Sequence, residues 1–283
     1  MVNMKKLLIV VKNKGGNFMD ILEREWFEVI KKRHSRRKYI NKQIDSKALE
    51  KLNTFIKKIN SFKSGVRIKI VNESCDDVFK GIIGSYGKIK GAKSYACIIG
   101  NTNEKYIDEK IGYYGEALIL KATSLDLGTC WVSGTFKKEA VNQSIKLKPR
   151  EKIYAITPIG YVKEDYSLTE KLMSKMISSH KRKDLDKICK EGFNSNWPKW
   201  IKDGIKCSQL APSAVNRQPW LFSVDGSLVT VQINNIKGNK YSKRLDCGIS
   251  MLHFEIGALH NKVKGKWKYL DSLRVAKFIP NER

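Results

Sequence analysis

Paired cysteines are missing from this chain. Its six cysteines, Cys75, Cys97, Cys130, Cys189, Cys207 and Cys247, contain no C-x-x-C pair, and histidine is scarce at four residues. Zinc and iron–sulfur centres need clustered thiolate and imidazole ligands, so no metal site is expected. Scattered thiols without a secretory leader point to a reducing, cytoplasmic compartment. Long apolar runs are also absent. The stretch Leu7 to Val11 follows basic residues, but Lys12 and Lys14 cut it short. It is too brief for the core of a signal peptide and reads as a short strand or a disordered leader. Nothing approaches the ~18 to 20 apolar residues of a membrane span, so a soluble protein without a membrane partner is expected. Acidic residues are few: 28 Asp and Glu stand against 55 Lys and Arg, a formal charge of +27. That balance favours anionic partners such as phosphate groups, nucleic acid, an acidic membrane surface or an anionic cofactor. A solvated lysine surface is the commoner origin of such a charge.

Hydrophobic residues make up 41% of the 283, enough to bury a core, so the chain is globular and long enough for one large or two ordinary domains. Apolar residues at Ile21, Leu22, Trp26, Phe27, Val29 and Ile30 have helical spacing. A second helix starts at an Asp45 or Ser46 cap and buries Ala48, Leu49, Leu52, Phe55, Ile56 and Ile59. Val66, Ile68 and Ile70 alternate as in a strand, and Ser94 to Ile99 reads as a more buried strand. A long apolar helix, Ile111 to Asp126, is expected to end at a left-handed Gly128. The strand "IYAITPIGYV" carries Pro158, which should break it. The order then begins again. Pro198 opens a helix, a hairpin surrounds Asp225-Gly226, and "DCGISMLHFEIGALHN" is another long apolar helix. Two related halves are implied, residues 1–190 and a shorter 191–283.

Three stretches carry chemistry. "RHSRR", Arg33 to Arg37, can present two guanidinium forks and a hydroxyl to one phosphate; a basic, solvated helix end has the same composition. "GTCWVSGTF", Gly128 to Phe136, has small residues that let backbone N–H groups approach a flat ligand; a plain helix-to-strand connection would look alike. "APSAVNRQPW", Ala211 to Trp220, offers Ser213 and Asn216 to backbone or ligand, and is equally consistent with a well-made turn.

In combination these stretches resemble the FMN-dependent nitroreductase family. That family carries R-[RH]-S-x-[RK] near its N-terminus, P-S-x-x-N-x-Q-P-W one helix later, and a G-L-G-T-C-W-type turn after the long central helix. The counterparts here are Arg33-His34-Ser35-Arg36-Arg37, Pro212 to Trp220, and Leu127 to Trp131. "ITPIGY" resembles the strand after the flavin turn, and "KRKDLDKI" (Lys181 to Ile188) the basic C-terminal segment. The resemblance covers most of the chain from about Trp26. It implies an α+β, nitroreductase-like fold, with a central antiparallel sheet flanked by helices and two related halves in one chain. One departure stands out: the Arg-Ser-Arg and Pro-Ser-Asn motifs, neighbours in ordinary members, are separated here by more than half the chain. Ordinary members are dimers with the flavin at the interface. A fused pair that keeps one complete site explains the split and resembles the putative TM nitroreductase branch. A monomer acting as an internal pseudo-dimer is therefore expected.

By resemblance, Arg33, Ser35 and Arg182 serve the FMN phosphate and ribityl chain, His34 is a cofactor-binding residue of the same motif, and Arg37 lies at the pyrimidine edge. The backbone of Ser133 and Gly134 faces N5, and Trp131 and Val132 of the same turn are cofactor-binding residues. Pro212, Ser213, Ala214 and Asn216 reach across from the second half, and Tyr86 touches the ring's far edge. The family's activity is ping-pong hydride transfer from NAD(P)H, by way of FMN, to a nitroaromatic, quinone or flavin, with no side-chain nucleophile. Two other classes remain: a non-redox flavin-binding or flavin-degrading protein of this fold, and a basic nucleic-acid binder. The second lacks any helix-turn-helix, zinc-finger or RNP-like pattern, so no specific nucleic acid is expected.

Overall fold

The Asp45 carboxylate caps the first long helix, accepting a hydrogen bond from the Ala48 N–H at 2.8 Å. In the computed structural model, which describes residues 22, 25–73, 75–79, 89–134, 136–165, 170–171, 181–235 and 242–282, the elements follow in this order. The first half holds α1 (Trp26–Lys32), α2 (Ser46–Ser61), β1 (Val66–Val71), α3 (Asp76–Phe79), β2 (Ser94–Asn101), α4 (Ile107–Ser124), β3 (Gly128–Thr129), α5 (Lys138–Ser144) and β4 (Glu151–Gly160). There follow α6 (Leu185–Ile188), α7 (Lys199–Gln209), β5 (Trp220–Asp225), β6 (Leu228–Ile233), α8 (Lys243–His260), β7 (Gly265–Tyr269) and β8 (Arg274–Pro280). The expected strand near Leu7 lies outside the described residues.

The antiparallel strands form two four-stranded sheets, ordered β1-β2-β4-β3 and β5-β6-β8-β7. Helix, two strands, helix, two strands builds each, so the two halves share one topology. β2 is buried along nearly its whole length because it is central and covered on both faces. β7 and β8 were not expected from the sequence. Lys266 and Lys268 alternate with Trp267 and Tyr269 in β7, and β8 mixes Arg274 and Lys277 with Val275 and Phe278, a pattern that reads equally as a basic tail until β8 pairs with β6 and β7 with β8.

Helices α4 and α8 lie between the sheets. All residues from Asp246 to Leu259 of α8 are buried, as expected of a helix that is apolar all round. No helix among the described residues is long and apolar enough to cross a membrane. The two helices cross where their backbones nearly touch. A Cβ on Gly112 would lie 2.0 Å from the Leu245 carbonyl oxygen, and one on Gly248 would lie 2.0 Å from that of Glu109. Each glycine occupies the same place in its helix and meets the equivalent carbonyl of the other. That reciprocity relates the two halves by an approximate two-fold axis.

Three local expectations are corrected. Gly128 does not end α4 in the left-handed region: Asp126 does, at φ 57°. Gly128 instead starts β3, where a Cβ would strike Val162 Cγ1 at 2.4 Å. Pro158 does not break its strand, and pairs with Tyr95 inside β4. Ile156 exchanges hydrogen bonds with Val132, so by alternation the Pro158 nitrogen points the same way, toward Cys130. The Cys130 N–H bonds the Thr157 hydroxyl, so the ladder to this edge segment is interrupted at one pair and resumes at Val132 and Ile156. The hairpin turn is Gly226-Ser227, because Asp225 is already paired with Leu228.

Candidate functional site

The chain leaves α1 at Arg33, whose N–H still bonds Val29. It then runs beside β3: Ser35 bridges Thr129, and the Arg36 N–H donates to the Thr129 carbonyl at 2.8 Å. The Arg-Ser-Arg stretch and the Gly-Thr-Cys-Trp turn are thereby one surface. Arg33 is buried and Ser35 half-buried, whereas His34 is exposed. Arg36 turns the other way, donating to the carbonyls of Lys163 (2.7 Å) and Asp165 (3.2 Å) and pairing with Glu170 at 3.4 Å. Glu170 also accepts from the backbone N–H of Arg37 at 2.8 Å.

After Thr129 the strand opens. Trp131 is half-buried and donates its indole N–H to Glu116 at 2.7 Å. Val132 is buried and paired with Ile156; Ser133 is half-buried and Gly134 exposed. Gly134 has φ +89°, a conformation that other side chains rarely adopt.

The Pro-Ser-Asn turn arrives from the second half. Pro212, Ser213, Ala214 and Asn216 are all half-buried. The Ser213 hydroxyl accepts from the Gln218 N–H at 2.9 Å. Val215, Asn216 and Gln218 all have positive φ, which is costly for a β-branched Val. Several bonds hold this strained backbone. Asp246 of α8 accepts from the Ala214 N–H at 3.2 Å and from Arg217 Nε at 2.7 Å. Burial pushes the Asp246 carboxyl up to about 6, against the opposing pull of Arg217.

Arg182 joins the pieces. It donates to Asn216 Oδ1 at 3.1 Å, while Asn216 Nδ2 donates to the Lys181 carbonyl at 2.9 Å. Burial pushes Arg182 down to about 10, and the positive charge of Arg33 adds to the fall. Arg33 is buried and Arg182 half-buried, and two guanidiniums that feel each other's charge are an arrangement that suits an anion. The buried Arg33 Nε makes no hydrogen bond. The structure thus brings Arg33, Ser35, Trp131, Arg182 and Asn216 into one region. Tyr86 lies outside the described residues.

Sequence reasoning missed Glu116, His253, Asp246 and Glu255. All four are buried polar residues on the two apolar helices. Their polarity inside such stretches was the available signal. Glu255 is a case in point. Its Oε2 accepts from Tyr113 at 2.7 Å and Trp267 at 2.9 Å, and burial pushes it up to about 7. The folded state therefore holds this proton more tightly than the unfolded chain does. Its stabilising effect is complete below pH ~4.5 and is lost as pH rises through ~7. Glu255→Gln keeps the accepting oxygen and removes the titration. Denaturation midpoints across pH should show the variant gaining on wild type between these values, by up to ~3 kcal/mol. Parallel pH profiles would refute the assignment.

Residues 25–258 match the family model described as putative TM nitroreductase. The chain belongs to that family. A putative nitroreductase from Thermotoga maritima superposes with a TM-score of 0.61 at 20% identity, covering 91% of this chain and 94% of that one. A nitroreductase with bound FMN from Bacteroides fragilis is 22% identical, with a TM-score of 0.41 over 52% of this chain and 92% of that one. An FMN-dependent nitroreductase from Clostridium difficile gives 20%, 0.40, 49% and 88%. No curated protein matches. The likeness is one of fold: α+β, antiparallel, and built from two related halves.

Proposed function

We propose that this chain is an FMN-dependent oxidoreductase of the nitroreductase type, with one composite site made by both halves. The observation that carries it is the meeting of Arg33, from the first motif, with Arg182 and with Asn216 of the Pro-Ser-Asn turn. Two cations, the buried Arg33 and the half-buried Arg182, suit a phosphate that carries nearly two negative charges. Arg33, Ser35 and Arg182 would hold that phosphate and the ribityl chain, and Arg37 the pyrimidine edge. The Trp131–Gly134 backbone and residues 212–216 would hold the ring. Bound FMN would supply the hydride chemistry, with NAD(P)H as donor and a nitroaromatic, quinone or flavin as acceptor in a ping-pong cycle.

The chain's own residues orient and shield. Glu116 fixes the Trp131 indole, and Asp246 fixes the turn. The division of labour proposed is residues 1–190 for the phosphate forks and flavin turn and 191–283 for the Pro-Ser-Asn turn; residues 183–190 lie on the second half, with Cys189 bridged to Phe222. A visible spectrum of the purified protein tests the reading. Flavin bands bleached by NAD(P)H support it, and a colourless protein that takes up no added FMN overturns it.

The same reading predicts one FMN per chain. Trp267 follows α8 at the same remove as Trp131 follows α4. Around it the chain supplies its own filling. Arg244 is bonded to Glu109 and to the carbonyls of Leu270 (2.6 Å) and Ser272 (2.7 Å). Tyr106 stacks on Tyr269 with ring centres 5.2 Å apart. A fluorescence titration should saturate at one equivalent; saturation at two would mean that the second site is open.

A further inference from the structure

Glu116 is fully buried beside Arg33, and the proposed function gives its charge no counterpart. Its Oε1 lies 3.7 Å from Arg33 Nε and 3.0 Å from His253 Nε2, and its Oε2 accepts from Trp131. A lone carboxylate in that low-dielectric place would pair with Arg33 and cancel its charge. His253, on α8, prevents this. Its Nδ1 faces the Cys207 carbonyl oxygen at 3.1 Å. A carbonyl only accepts, so Nδ1 carries a hydrogen. A second hydrogen must lie between Nε2 and Oε1, since two bare lone pairs would repel. Whichever atom holds it, imidazole and carboxyl together carry no net charge.

We propose that His253 is a positioning residue that cancels the charge of Glu116, so that Arg33 presents its positive charge undiminished to a dianionic phosphate while Glu116 still orients Trp131. The inference rests on the FMN reading above and adds a residue of the second half that touches no ligand.

The test is calorimetric titration of the flavin-stripped full chain with FMN, riboflavin and inorganic phosphate. In His253→Asn an amide replaces the imidazole but cannot supply the shared proton, which strands the Glu116 charge. FMN and phosphate affinity should fall roughly ten-fold or more, with riboflavin affinity nearly unchanged. Adding Glu116→Gln to that variant removes the stranded charge, and should restore both affinities to within about three-fold of wild type. Glu116→Gln alone should keep phosphate affinity, because the pair remains neutral. A purely structural role predicts the opposite pattern: losses that add in the double variant, and equal losses for FMN and riboflavin. Either result overturns the proposal, as does unchanged phosphate binding in His253→Asn. If that variant fails to fold, a ten-fold phosphate loss in Glu116→Gln alone overturns it, and retention supports it. Wild-type protein that binds neither FMN nor phosphate removes the FMN reading itself, an outcome distinct from tight wild-type binding that the variants leave unaltered.

Discussion

Arg33→Ala should weaken FMN ~10- to 100-fold and riboflavin hardly at all, because a charge-assisted bond to phosphate contributes ~1.5 to 3 kcal/mol. Arg36→Ala, three residues on, should do something different. Arg36 is buried against Glu170 and two backbone carbonyls, and removing it leaves the Glu170 carboxylate buried without that partner. The expected cost is ~3 kcal/mol or more of fold stability, with FMN affinity per folded molecule close to wild type. Isothermal titration with both flavins, beside urea denaturation, separates the two effects. Equal losses of FMN affinity in the two variants would mean that general positive charge, not a shaped site, attracts the ligand.

Gly248→Val should be more damaging still. The added Cβ would lie 2.0 Å from the Glu109 carbonyl oxygen. That neighbour is backbone and cannot swing aside, so the helices must part. Opening a packed interface of this kind should cost more than ~3 kcal/mol. Gly112→Val should match it, since Gly112 meets Leu245 in the reciprocal contact. FMN uptake should be lost together with stability, because Arg33 comes from one side of the crossing and Asn216 from the other. Denaturation curves and flavin content measured on the same preparation test this. A Gly248→Val protein of wild-type stability would show that the crossing is not what holds the halves together.

Much of the architecture is written locally. The Asp45 cap, the apolar face of α2, the alternation of β1 and the β5–β6 hairpin follow from signals within a few residues, and the structure has all of them. The three motifs were legible because each holds residue types that ordinary connections rarely combine. Their wide separation in the chain, with the repeated order of elements, implied two related halves, and the two sheets share one topology.

What the local signals could not decide depends on neighbours far along the chain. Pro158 looked like a strand breaker because its missing N–H matters only if a partner strand lies opposite; there the Cys130 N–H has turned to Thr157. Gly128 looked like a helix terminator because the sequence does not show Val162 pressing on it. The lysine-rich β7 and β8 become strands only because β6 offers an edge. Above all, Glu116 and His253 are 137 residues apart, and each taken alone is a lone polar residue on an apolar helix. The three motifs carried the family resemblance, the resemblance implied the expected ligand, and the order of elements implied the repeat. The close crossing of α4 and α8 alone decided which buried charges meet, because without that contact each would lie in a half that cannot cover it.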